Sequence, residues 1–180
     1  MNSKDLALGG ILIALTSIIL YSTSILPIST ISILTVASAI IPVCIIRSNV
    51  KNAIFVYVAS SILAIFLVPI NISIMYILFF GIFGVIKYYI ESLDKLILEY
   101  ILKLIFFNIV FLIGFILIQS ILGVNLIAGL ETMIANFVDT SIRSTTLIVI
   151  WIIIQPVFLI YDYAMTMIID FYMKRIHKNV

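Results

Sequence analysis

The residues that could do chemistry in this chain are few, and their spacing restricts what that chemistry is. The single histidine, His177, lies in a basic tail, and the single cysteine, Cys44, lies in an apolar run. An imidazole base within an apolar segment, a histidine or cysteine metal site and a disulfide framework are therefore not expected, nor does any HExxH, P-loop or GxSxG pattern occur. Two aspartates, Asp162 and Asp170, sit in the last apolar stretch, eight residues apart. An aspartyl protease needs its carboxylates facing each other from different helices, so the reading is not an enzyme, while proton-driven transport through Asp162 stays open. A carboxylate at the centre of a membrane helix costs about 2.5 to 3.5 kcal/mol on insertion scales, so it normally faces the bundle interior or a wet cavity. Asp162 is a candidate for either use, and Lys87 and Lys103 are its candidate partners.

At about 100° per residue, Gln155, Asp162 and Thr166 fall on one face of a helix. Asn108 and Gln119 likewise share a face of the preceding apolar stretch, with Phe111 and Phe115 between them. Apolar walls with a few convergent polar groups are what a small-molecule site needs. The expected ligand set is thus Asn108, Phe111, Phe115, Gln119, Gln155 and Asp162. The alternative is that these groups bond one another across the bundle, where such bonds average well below about 2 kcal/mol.

The elements that must hold these residues follow from composition. Of 180 residues 64% are hydrophobic and 10% charged, where soluble domains average roughly 45 to 50% and about 25%. A net charge of +2 gives no reason to expect a nucleic-acid partner; the lipid bilayer is the expected surrounding. Uncharged runs bounded by Pro, Asn, Ser or charge predict six membrane helices, at 6–26, 29–46, 53–68, 72–89, 102–122 and 145–169. The expected fold is one all-α transmembrane domain over 1–180. Continuous rather than alternating apolar runs exclude a membrane β-barrel. The first run is read as a retained span, because Asp5 opposes Lys4 and the run is long for a signal peptide. Connection 123–144 is long, and Leu126, Leu130, Ile134 and Phe137 recur at helical spacing, predicting a short external helix at 128–138. Glu91, Lys95, Glu99 and Lys103 stand four apart, predicting an amphipathic connector helix between spans four and five.

Small residues form two stripes: Gly10, Ala14, Ser17, Tyr21 and Ser24 on span one, and Ala53, Tyr57, Ser60 and Ala64 on span three. Small residues at this spacing let helix backbones approach closely, and either packing within the chain or docking of a partner would use them. Gly81 and Gly84 are expected at close helix contacts, and Pro156 at a kink. Tyr88, Tyr89, Tyr100, Trp151 and Tyr172 are placed as interfacial anchors.

In plan the chain resembles the substrate-binding S component of energy-coupling factor transporters: about 180 residues, six spans, both termini inside and a long last external loop. Gly10-xxx-Ala14 stands where many S components carry an alanine-xxx-alanine pair that meets the transmembrane coupling subunit, with glycine replacing the first alanine. The resemblance implies capture of a vitamin or similar micronutrient from outside, with energy from separate ATPase subunits and no cofactor or metal on this chain. The rival reading is a structural or accessory protein of the cell envelope, similar in size and span number to the rod-shape-determining D subunit of the bacterial cell-wall machinery. In either reading the setting is a bacterial cytoplasmic membrane.

With the amino terminus inside, Lys4, Arg47, Lys51, Lys87, Lys95, Lys103, Lys174, Arg175 and Lys178 fall on the cytoplasmic side and Arg143 alone outside. Positive charge accumulates on cytoplasmic loops, so both termini are predicted cytoplasmic. In a Cys44→Ser background, Ser3→Cys and Lys178→Cys should resist an impermeant thiol reagent in intact cells, while Thr132→Cys reacts; labelling of either end would overturn the topology.

Overall fold

A computed structural model of the chain describes residues 3–26, 29–123 and 143–175, and every regular element among them is helical. Helix α1 is Ser3–Ile25, α2 Thr30–Arg47 and α3 Val50–Leu67. The fourth apolar stretch is built in three pieces: α4 (Ile70–Met75), a π-helical turn (Tyr76–Phe80) and α5 (Gly81–Glu91). Helices α6 (Leu96–Leu122) and α7 (Arg143–Arg175) complete the bundle. Among the described residues six helical stretches, with Ile70–Glu91 as the fourth, are long and apolar enough to cross a bilayer. At about 1.5 Å per residue, some 20 residues match a hydrocarbon core of about 30 Å. The chain is a multi-pass membrane protein.

Burial ranks the helices. In α2 and in Ile70–Glu91, 56% of the apolar window is buried, against 11% in Leu96–Ile121, so the second and fourth spans form the centre and α6 lies at the edge. One core cluster joins Leu12, Ile41, Cys44, Ala53, Val56 and Val85 from α1, α2, α3 and α5. A second, larger one joins Leu34, Ala64, Tyr76, Phe83, Phe107, Phe158 and Met165, bringing in α6 and α7. The start of α1 and the end of α7 lie at one end of the bundle. There Ser48 donates to Asp5 (2.8 Å), and Arg47 donates to the Tyr172 hydroxyl while its guanidinium stands 5.7 Å from that ring's centre.

Between helices in lipid the hydrophobic drive is weak, so close approach and polar pairing decide the packing. Three glycines mark the tightest approaches. A Cβ on Gly84 would lie 2.7 Å from Pro42 Cδ, and one on Gly81 would lie 2.8 Å from the Tyr57 ring. On α1 the tight residue is Gly9, whose Cβ would meet Asn52 Oδ1 at 2.9 Å. Asn52 is buried, donates to the Asp5 carbonyl (2.9 Å), and follows the cap in which Asn49 Oδ1 accepts from its backbone N–H.

Several expectations need correction. The small-residue stripe of span three does pack inward, with Ala53, Ser60 and Ala64 buried, but that of span one points out: Gly10, Ala14 and Tyr21 are exposed. One residue turns a helix by about 100°, so Gly9 takes the packed face and leaves Gly10 outside. The amphipathic connector is not a separate helix. Four residues, 92–95, link α5 directly to α6, with Asp94 at φ 52°, a left-handed conformation that Asp tolerates better than most residues. Its basic residue Lys103 turns inward instead of pairing along the helix. Tyr172 is buried under Arg47, whereas Tyr88, Tyr89, Tyr100 and Trp151 are exposed as anchors should be. The expected helix at 128–138 lies outside the described residues.

Forcing a methyl group against the rigid Pro42 ring costs about 1 to 3 kcal/mol on the scale of overpacked cores. Gly84→Ala should therefore lower the thermal midpoint in detergent, read by a thiol-reactive dye that reaches buried Cys44 only on unfolding. Gly10→Ala, with open space at its Cβ, should leave it unchanged; equal behaviour of the two would refute this packing.

Candidate functional site: an apolar cavity above a buried charge ring

Spans four, five and six meet in two layers of opposite chemistry. Nearer the end that holds the start of α1, Lys87 and Glu91 of α5, Lys103 of α6 and Asp162 of α7 close into a ring. Lys87 Nζ lies 2.6 Å from Asp162 Oδ1 and 2.6 Å from Glu91 Oε1. Lys103 Nζ lies 2.6 Å from the same Glu91 oxygen and 3.1 Å from Asp162 Oδ2. Lys87 also donates to Thr166 Oγ1 (2.9 Å), so its three ammonium hydrogens have three acceptors. Lys87, Lys103 and Asp162 are all buried, and two positive charges meet two negative ones. A neutral, closed set is the arrangement in which charged groups are tolerated away from water.

Above the ring lies a plug of aromatic side chains. Phe107 stacks on Phe158 at 4.5 Å between centroids, and Phe79 touches both rings as well as Phe83 and Tyr161. The Tyr161 hydroxyl shares a 2.7 Å hydrogen bond with Ser38 of α2, tying α7 to the central helix. The π-helical turn supplies two of the rings. Gly81 N–H bonds to Tyr76 O, one residue further back than in an α-helix, and the Tyr57 hydroxyl donates to Ile77 O (2.8 Å). The wider turn presents Phe79 and Phe80 to the same space.

That space is a cavity of about 300 Å³, at the small end of ligand pockets, which span roughly 300 to 1,000 Å³. Among the described residues its walls come from α2, α4, the π turn, α6 and α7, and each lining side chain is apolar or, for Tyr161, has its hydroxyl engaged elsewhere. Beside it, Gln155 Nε2 donates to Asn108 Oδ1 (2.9 Å), which also accepts from Trp151 Nε1 (2.7 Å), while Asn108 Nδ2 donates to Leu104 O (2.7 Å).

Of the residues expected from sequence to bind ligand, Phe111 and Phe115 line the cavity. Asn108 and Gln155 are brought together, but onto each other and Trp151. Asp162 sits in the charge ring, and Gln119 is half-buried further along α6, outside the lining set. Both lysines named as partners for Asp162 are its partners. Sequence reasoning did not place Glu91 in the ring, although its spacing of four from Lys87 was legible, nor did it single out Phe79, Phe107, Phe158 or Tyr161. Nothing in a uniformly apolar sequence separates cavity rings from core rings. No protein-family model, curated protein or solved structure matches the chain, so its site is read from its own geometry.

Removing one member of a buried ion pair strands its partner, which costs about 3 to 5 kcal/mol. Asp162→Ala leaves Lys87 and Lys103 sharing the single carboxylate of Glu91, one buried positive charge in excess, and should lower thermal stability sharply. The double variant Lys87→Met, Asp162→Leu leaves the Lys103–Glu91 pair balanced and should be more stable than Asp162→Ala alone. Gln155→Ala should cost less than about 2 kcal/mol. A double variant as unstable as the sum of its single changes would show that the ring is not a coupled unit.

Proposed function

We propose that this chain is the membrane-embedded binding subunit of an uptake transporter for a vitamin or similar micronutrient, sited in a bacterial cytoplasmic membrane with both termini inside. It performs no catalysis itself and draws energy from ATPase subunits through a transmembrane coupling subunit. The observation that carries this reading is the cavity of about 300 Å³ between spans four, five and six, walled in large part by aromatic rings. The outward placement of Gly10 and Ala14 supports the docking half: a shallow strip of small side chains on α1 leaves room for a partner helix to come close.

A second reading, a structural or accessory protein of the cell envelope without ligand, is favoured by the mutual satisfaction of Asn108, Gln155 and Trp151, which are bonded as interhelical glue would be. The two readings part on purification from native membranes. The binding subunit should carry a stoichiometric small molecule by native mass spectrometry and co-purify with a larger membrane protein and an ATPase. Gly10→Trp or Ala14→Trp should abolish that co-purification with the thermal midpoint unchanged, because neither position faces the chain's own core. A preparation free of both small molecule and ATPase subunits would overturn the transporter reading in favour of the structural one.

A further inference from the structure

Resting on the reading of this cavity as a ligand site, we infer that what it takes is an uncharged, flat ring system about the size of two fused six-membered rings. Three observations carry this. Among the described residues the walls offer no free hydrogen-bonding side chain, since the Tyr161 hydroxyl is held by Ser38 and the nearby amides of Asn108 and Gln155 are bonded to each other. A charged or strongly polar group placed here would lose its water with nothing to replace it. Second, the volume of about 300 Å³ is roughly twice that of an apolar protein cavity known to stay dry and accept benzene, about 150 Å³. Third, the walls are rich in rings: Phe79, Phe107, Phe111, Phe115, Phe158 and Tyr161 all line the space. Aromatic faces and edges favour offset or edge-to-face partners at centroid distances of about 4.5 to 7 Å, a geometry that a flat ring satisfies and a flexible chain does not. A micronutrient bound here would bury a ring portion of this kind and keep any polar portion outside the cavity.

Gly114 makes the inference testable. It lines the cavity on α6, and a Cβ there would meet only Leu78 Cδ1, at an ordinary 3.7 Å. A Cβ at this position meets no backbone atom within 4 Å, so a larger side chain has an unobstructed start into the void. The full chain is reconstituted in lipid nanodiscs and titrated with 2-naphthol, with naphthalene-2-sulfonate as the charged probe and 1-decanol as the chain probe, and binding is read by fluorescence and competition. The expected result is one saturable 2-naphthol site per chain, weakened at least tenfold in Gly114→Leu and in Ile118→Phe, with the sulfonate and decanol competing at least tenfold less well. Two filling variants are used so that misfolding of one leaves the other. Equal or better competition by decanol would make the cavity an acyl-chain site and overturn the ring assignment, as would equal binding of the sulfonate. Uptake of 2-naphthol that is unsaturable, or unchanged in both filling variants, is partition into lipid and overturns it too. These outcomes are separate from the transporter reading, which stands or falls on the co-purified small molecule and ATPase subunits.

Discussion

Four charges taken from three helices hold the second half of this bundle in place. Lipid tails are as apolar as the side chains that face them, so spans four, five and six gain little from merely touching. They gain a great deal from not separating once Lys87, Lys103 and Asp162 are buried, because α6 leaving would carry off Lys103, and α7 leaving would carry off Asp162, as a lone charge in the membrane. The ring therefore fixes which helices are neighbours, and also their depth and rotation: Asp162 must reach two lysines on two different helices at once. Glu91, at the rim with a side chain 37% exposed, completes the balance where water is nearest.

With the register of span six set by Asp162, its other faces are no longer free. Tyr161, the preceding residue, is turned about 100° away and so meets Ser38 and the aromatic plug. Gln155, two turns back, is brought to Asn108. The first half of the bundle uses a different device. There α1, α2 and α3 are drawn together at Gly9, Asn52 and the Asp5–Ser48 bond, and Gly84 against Pro42 joins this half to span four. Backbone proximity organises one half and charge the other, with the central α2 and Ile70–Glu91 stretches shared by both.

What the sequence made legible follows from this division. Apolar run length located the six spans, because bilayer thickness leaves little choice, and the cost of a buried carboxylate pointed from Asp162 to Lys87 and Lys103 before any geometry was known. The helical alignment of Asn108 and Gln155 with neighbouring polar residues was readable from 100° arithmetic, but not that the two would bond each other, which depends on the rotation of two helices. Gly9 and Gly10 were indistinguishable as small residues, and only the partner Asn52 separates them. The π-helical turn was hidden because Tyr76–Phe80 has the composition of any apolar helix; one extra residue in a turn leaves no mark when every neighbour is apolar. The spacing of Glu91 and Lys95 reads as a helical ladder because the turn at 92–95, with Asp94 in a left-handed conformation, carries neither glycine nor proline to announce it.

The stacking of the two layers bears on how a bound molecule would leave. Between the cavity and the ring stand Phe79, Phe83, Phe107 and Phe158, with Phe79 against the other three, and none of the described residues that line the cavity offers a free polar side chain toward the ring. Passage that way requires span six to part from spans four and five, and that motion would first break the bonds of Lys87 and Lys103 to Asp162. Each charge so separated inside the membrane has to find another partner or water, at a cost of several kcal/mol per ion. In the proposed transporter, energy supplied by a separate subunit would act on this ring through α7, which carries the carboxylate that both lysines share. The shortest lever is the end of α7 itself: Tyr172, gripped by Arg47 at the tip of α2, lies on the same helix as Asp162, with no break between them. A pull there would act through a continuous helix on the carboxylate that joins the three spans.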